Sequence, residues 1–119
     1  MALKKLLARL TTPVSELDRE RLRAFCANRP GVSAIGDALP REEITVVGEI
    51  ESLRIVPRAG SPSLEATVSD GTGSLVAVWT GRRSIAGVAP CKRLVLSGRG
   101  APNGPTGRLV LLNPRYELL

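Results

Sequence analysis

The hydrophobic period of the chain changes near residue 41, and this change most limits the folds available to it. Beyond it, apolar and polar residues alternate in five short runs bounded by glycine, proline or aspartate. The runs begin at Ile44, Leu64, Leu75, Arg93 and Leu109. A change of phase near Ser52 indicates a bulge in the first run. The pattern predicts a mainly β domain over residues 41–119. Both a closed five-stranded barrel and a short sandwich fit the pattern, because periodicity does not give strand order.

Turn residues separate these predicted strands. Asp70-Gly-Thr-Gly73 is typical of a tight hairpin, since aspartate and glycine accept the positive φ angles that such turns need. The segment Gly81–Pro90 is predicted to form a single helical turn between the third and fourth strands. Asn113-Pro114 is expected to interrupt the fifth strand before Tyr116.

Residues 1–40 are instead predicted to form a helical N-terminal extension. One stripe of a first helix carries Leu3, Leu6, Leu7 and Leu10. A second helix is predicted from a cap at Ser15 to about Ala27. Neither helix is long enough to be stable alone, so each should dock on the rest of the chain or serve as an arm that binds a partner or a membrane surface.

The charge balance favours an anionic partner. The chain holds 17 lysines and arginines against 11 acids, a net charge of +6, which is typical of proteins that contact phosphate backbones or an acidic partner, or of a soluble protein that is merely basic. Only three of the cations are lysines, and the guanidinium fork of arginine matches phosphate geometry.

The residue inventory argues against catalysis. The chain has no histidine, which removes the usual general base and the commonest metal ligand. Cys26 and Cys91 lie too far apart in sequence for a zinc or redox motif, and we expect two buried free thiols. The paired Glu49 and Glu51 are expected to be ordinary surface acids. We therefore expect no enzyme activity, no cofactor and no metal site. Because no apolar run approaches about 20 residues, we expect no membrane span and a cytoplasmic protein.

Two stretches carry a family resemblance. Residues Leu64–Trp79, which include the Asp-Gly-Thr-Gly turn, and the ending Gly107–Glu117 resemble the OB-fold nucleic-acid-binding domains, above all the wedge domain of the RecG branch-migration helicase. The whole chain, including Val78–Gly87, is similar to short stand-alone actinobacterial OB-fold nucleic-acid-binding domain proteins. The resemblance implies a five-stranded OB-fold barrel behind the helical extension. It does not imply unwinding, since no Gly-x-x-x-x-Gly-Lys-Ser/Thr segment is present.

In this barrel class ligands cross the face of strands 2 and 3, flanked by the loops between strands 1 and 2 and strands 4 and 5. Those loops are expected at 58–63 and 99–108, and both are edged by arginine. The predicted nucleic-acid-binding residues are Arg54, Arg58, Trp79, Arg82, Arg83, Arg99 and Arg108.

Trp79 has two possible orientations. Outside the barrel it would offer a ring on which a base stacks. Inside, it would pack with Leu75 and Ala77. The acids Glu49, Glu51, Glu65 and Asp70 are expected on outer surfaces, where they dilute the positive field.

The predicted function is binding of nucleic acid, single-stranded or branched DNA or else RNA, without strong sequence specificity and with steep salt dependence. The alternative is a protein–protein adaptor that uses the N-terminal helices or the barrel face.

Overall fold

The computed structural model describes residues 16–103 and 107–119. Helix α1 covers 16–27, and a short 3-10 turn covers Ile35–Asp37. The strands are β1 (Glu43–Arg58), β2 (Ser61–Ser69), β3 (Ser74–Thr80), β4 (Arg93–Asn103), β5 (Arg108–Leu112) and β6 (Arg115–Leu118). The predicted leucine-striped helix over residues 3–10 lies outside the described residues, so its docking stays a prediction.

The strands form a closed ring of five in the order β1–β2–β3–β5–β4 and back to β1. β3 and β5 are parallel and every other pair in the ring is antiparallel. β6 pairs with β4, and the break at Asn113-Pro114 separates it from β5 as predicted. This is the predicted OB-fold barrel, and the closed ring excludes the alternative of a short sandwich.

Alternation along the strands sets the core. The inward residues of β3 are Leu75, Ala77 and Trp79, and those of β4 include Leu94 and Leu96. The strand pairing shifts between Ile50 and Ser52, so the predicted bulge is confirmed. It lets the 16-residue β1 pair first with β4 and then with β2, which closes the barrel.

Helix α1 ends at residue 27 as predicted, directly before Asn28-Arg29-Pro30-Gly31, a segment typical of a helix end. Leu22 and Cys26 form a second, smaller apolar cluster with Val47 and Val95 on the outside of β1 and β4. The helix therefore packs on the barrel rather than extending from it. No helix in the described part of the chain is long and apolar enough to span a membrane.

The prediction of a helical turn within Gly81–Pro90 is wrong. The segment forms an irregular connection with a turn in which the Val88 N–H donates to the Ile85 oxygen at 3.0 Å. Gly81 and Gly87 have φ angles of 76° and 81°, which a right-handed helix excludes. Ile85 and Val88 are buried in the main core, so this segment closes one end of the barrel.

Candidate nucleic-acid interface

The outward face of β1, β2, β3 and β5 is where an OB-fold barrel would receive a ligand. Strand pairing places Arg54 opposite Glu65, Glu65 opposite Val78, and Val78 beside Leu112. These four outward positions form one row across the face. The chemistry of the face therefore changes from charged on β1 and β2 to apolar on β3 and β5.

Four of the predicted arginines lie at one end of this face. Arg54 and Arg58 lie in the β1 half of the β1–β2 hairpin, where Arg58 pairs with Ser61. The N–H of Gly81 donates to the oxygen of Pro62 at 2.8 Å, which holds the segment after β3 against the same hairpin. Arg82 and Arg83 follow directly. We call the set Arg54, Arg58, Arg82 and Arg83 the arginine end.

Arg82 and Arg83 are exposed, and within the part of the chain that the structure describes neither forms a hydrogen bond or an ion pair. A guanidinium that has no protein partner keeps all five N–H donors for a ligand. These two residues are therefore the cations of the arginine end most available to an anion.

Glu65 does not lie on an open outer surface as expected. Its side chain points outward from β2, yet the residue is only 7% exposed. Arg54 donates to Oε1 through both Nε and Nη2 at 3.1 Å, and Arg58 donates to Oε2 through Nη2 at 3.4 Å. The two arginines neutralise the one acid among them, and the four arginines still exceed it by three charges.

Trp79 is a core residue, so the inner of its two possible orientations is observed and the predicted stacking role is wrong. It is 5% exposed and packs in the main core with Leu75 and Ala77. Its Nε1–H donates to the oxygen of Pro114 at 3.2 Å, and its ring meets Tyr116 edge to face at 5.7 Å between centroids. A tryptophan buried with its N–H satisfied is structural.

The centre of the face is also closed. Val76 and Val78 point outward from β3, but both are buried, and Val78 has no exposed surface. On β3 the face therefore offers neither an aromatic platform nor an open apolar surface, although Leu112 on the neighbouring β5 is exposed. The accessible charged groups of the face are at the arginine end.

Arg99 does not begin a loop. β4 continues to Asn103, and Arg99 pairs with Glu43 of β1. Its Nη1 donates to the Arg41 oxygen at 2.8 Å. Gly98 and Gly100, which suggest a loop in the sequence, are strand positions packed against core residues; a Cβ on Gly100 would come within 3.3 Å of a Leu109 methyl.

Arg108 begins β5, two residues before Val110, which pairs with Val76 early in β3. It therefore lies towards the opposite end of the face from the arginine end. The second predicted loop is shorter than expected, and its residues 104–106 lie outside the described part of the chain.

The Asp-Gly-Thr-Gly turn serves the fold. Asp70 is 3% exposed, so its expected place on an outer surface is wrong. Its Oδ2 accepts the N–H of Ile35 at 2.8 Å, and its Oδ1 accepts the N–H of Thr72 at 2.9 Å. One carboxylate thereby joins the hairpin to the 3-10 turn.

Acids collect at the other end of the β1–β2 pair. Asp18, Glu49 and Glu51, together with one cation, Arg19, line an open groove beside α1. Glu49 pairs with Arg93 at 3.5 Å, and Glu51 is exposed. Since Glu49 pairs with Ser69 whereas Arg58 pairs with Ser61, charge is segregated along the hairpin.

The cysteines differ from the expectation of two buried thiols. Both are free, but only Cys26 is buried, whereas Cys91 is exposed. Burial, assisted by the negative charge of Asp70, raises the pKa of the Cys26 thiol to about 11. Cys26 is therefore a neutral core residue at physiological pH. No group of three or more acidic or sulfur ligands that could hold a metal occurs among the described residues.

Comparison with protein-family models and with curated protein sequences finds no match. Solved structures do match. RecG bound to a three-way DNA junction is similar with a TM-score of 0.55 and 21% identity, over 74% of this chain and 12% of the RecG chain. The S. pombe Stn1–Ten1 complex is similar with a TM-score of 0.50 and 22% identity, over 65% of this chain and 57% of that one. Likeness at this level of identity shows the OB fold, and this chain spans only a fraction of either protein.

Proposed function

We propose that this chain binds single-stranded or branched DNA through its arginine end. The observation that carries the proposal is the convergence of two arginine pairs, Arg54 with Arg58 and Arg82 with Arg83, which are distant in sequence and meet at one end of the outward face. Such a cluster suits a ligand with closely repeated negative charges, because one small anion would need only one or two guanidiniums.

The comparison with RecG supports this choice of ligand. That protein has been solved on a three-way DNA junction, and the part of it that resembles this chain is an OB-fold domain. The resemblance favours DNA with single-stranded or branched character over an acidic protein. The resemblance covers only 12% of the RecG chain and does not imply a helicase motor in this one. The activity we propose is binding without catalysis.

Binding would rest on backbone contacts. With Trp79 in the core and Val78 closed, stacking contributes little, so affinity should be modest and tolerant of sequence. Contacts to phosphate release counterions, and for single strands the slope of log K against log salt is about −0.7 per phosphate neutralised. The arginine end, with three positive charges in excess of Glu65, therefore predicts a slope of about −2.

Fluorescence anisotropy of labelled DNA tests the proposal. A single-stranded oligonucleotide, a three-way junction and a plain duplex are each titrated with the protein from about 50 to about 200 mM salt. We expect the single strand and the junction to bind with the stated slope, and base composition to matter little. Absence of binding to both at the lowest salt would overturn the proposal.

A further inference from the structure

Glu65 is the one acid among the arginines of the proposed interface. It lies on the outward face of β2 opposite Arg54, and its carboxylate is nearly inaccessible to solvent. A buried carboxylate is costly unless its charge is balanced and its lone pairs are satisfied. Here each oxygen accepts from a different arginine.

The carboxylate brings two cations together. Arg54 and Arg58 are four residues apart on β1, about 13 Å along an extended strand. Both side chains nevertheless reach the same acid, Arg54 from directly opposite and Arg58 from nearer the turn. Two guanidiniums that contact the same carboxylate lie close enough to repel each other, and the negative charge of Glu65 offsets that repulsion.

Both arginines keep donors for a ligand. Arg54 donates two of its five N–H groups to Glu65, and Arg58 donates one. Their side chains are 75% and 48% exposed, so the remaining donors face solvent while one edge of each guanidinium is fixed.

We propose that Glu65 is a positioning residue that holds Arg54 and Arg58 as a clamp for one backbone phosphate of the bound nucleic acid. The inference rests on the proposed function. The acid aids anion binding here, because it fixes two flexible cations before the ligand arrives and so lowers the entropy lost on binding.

The clamp is testable because two effects of Glu65 predict opposite changes in affinity when its charge is removed. A pure charge effect predicts tighter binding, and a positioning effect predicts weaker binding. Glu65→Gln removes one negative charge, and so does Glu51→Gln at an exposed residue of the neighbouring strand β1 that has no ion pair to any described residue. If charge alone matters, both variants bind a labelled single-stranded oligonucleotide more tightly than the original protein. With the clamp, we expect E51Q to bind as tightly or more tightly, and E65Q to bind at least about threefold more weakly.

Arg54→Lys gives a second measurement that does not depend on how E65Q folds. Lysine keeps the charge but loses the planar edge that two donors present to Glu65. We expect R54K to weaken binding about threefold as well. The inference is overturned if E65Q binds as tightly as E51Q, or, where E65Q loses its native circular dichroism, if R54K binds like the original protein. Failure of the original protein to bind at low salt defeats the proposed function instead, so the two failures are distinct.

Discussion

The indole N–H of Trp79 donates to the carbonyl oxygen of Pro114 at 3.2 Å, which joins the end of β3 to the break between β5 and β6. Asn113 reinforces the same junction, because its Oδ1 accepts the N–H of Thr80 at 2.9 Å. The only tryptophan of the chain is thereby part of the barrel closure and not of the outward face of β3.

Trp79→Phe should reduce stability and leave DNA affinity unchanged. Phenylalanine keeps an aromatic ring against Tyr116 but leaves the buried Pro114 oxygen without its donor. We expect the free energy of unfolding, measured in urea, to fall by about 1–3 kcal/mol. Weaker oligonucleotide binding at unchanged stability would contradict the placement of Trp79 in the core.

Asp70→Ala should reduce stability more strongly. The substitution leaves the buried N–H of Ile35 without an acceptor and removes a carboxylate that also holds Thr72. Since hydrogen bonds to a charged group contribute about 1.5–3 kcal/mol each, we expect a loss of at least about 3 kcal/mol. Asp37→Ala, at an exposed acid of the 3-10 turn, is the matched control and should cost less than about 0.5 kcal/mol. Equal effects of the two substitutions would contradict a structural role for Asp70.

The buried thiol of Cys26 predicts a loss of stability at alkaline pH. Its pKa is raised from an ordinary 9.0 to about 11 in the folded protein, so the unfolded chain releases this proton first as the pH rises. The contribution of the protonated Cys26 thiol to the free energy of unfolding is fully present below about pH 9 and is lost between about pH 9 and 11. Two pKa units correspond to about 3 kcal/mol.

Cys26→Ala isolates this contribution, because the other groups that titrate in the same range are common to both proteins. The free energy of unfolding is measured at about pH 8 and about pH 11. We expect its fall to be larger in the original protein than in C26A by about 2–3 kcal/mol. An equal fall in the free energy of unfolding in both proteins would show that the pKa of the Cys26 thiol is not raised by burial.

Local patterns were sufficient to predict most of the fold. Alternation placed the strands, the phase change near Ser52 marked the bulge, and the stop after Ala27 ended α1. Each of these is decided by neighbours in sequence. The strand ends were harder: the hairpin turn consists of Ala59 and Gly60 alone, both with positive φ, where the sequence suggests a longer loop.

The site depended on relationships that sequence alone does not determine. Glu65 faces Arg54 only because the β1–β2 turn is two residues long, and a one-residue change in register would put the acid elsewhere. A two-residue Ala59-Gly60 turn, with both residues at positive φ, implies this pairing. Alternation left Trp79 with two faces, and the closure of the barrel around Pro114 selects the inner one.

The arginine end is tested most directly by two double variants of equal charge. Arg82→Ala with Arg83→Ala removes the two free cations of the arginine end. Arg19→Ala with Arg21→Ala removes two exposed cations of α1 that have no ion pair within the described residues. Both variants lower the net charge by two, so net charge alone predicts equal effects.

The decisive measurement is the affinity of the two variants for a labelled single-stranded oligonucleotide as a function of salt. We predict that R82A/R83A weakens binding at low salt by about tenfold and makes the slope of log K against log salt shallower by about 1.4, whereas R19A/R21A changes affinity less than about twofold. Equal weakening by both variants, or no effect of R82A/R83A, would contradict an interface at the arginine end.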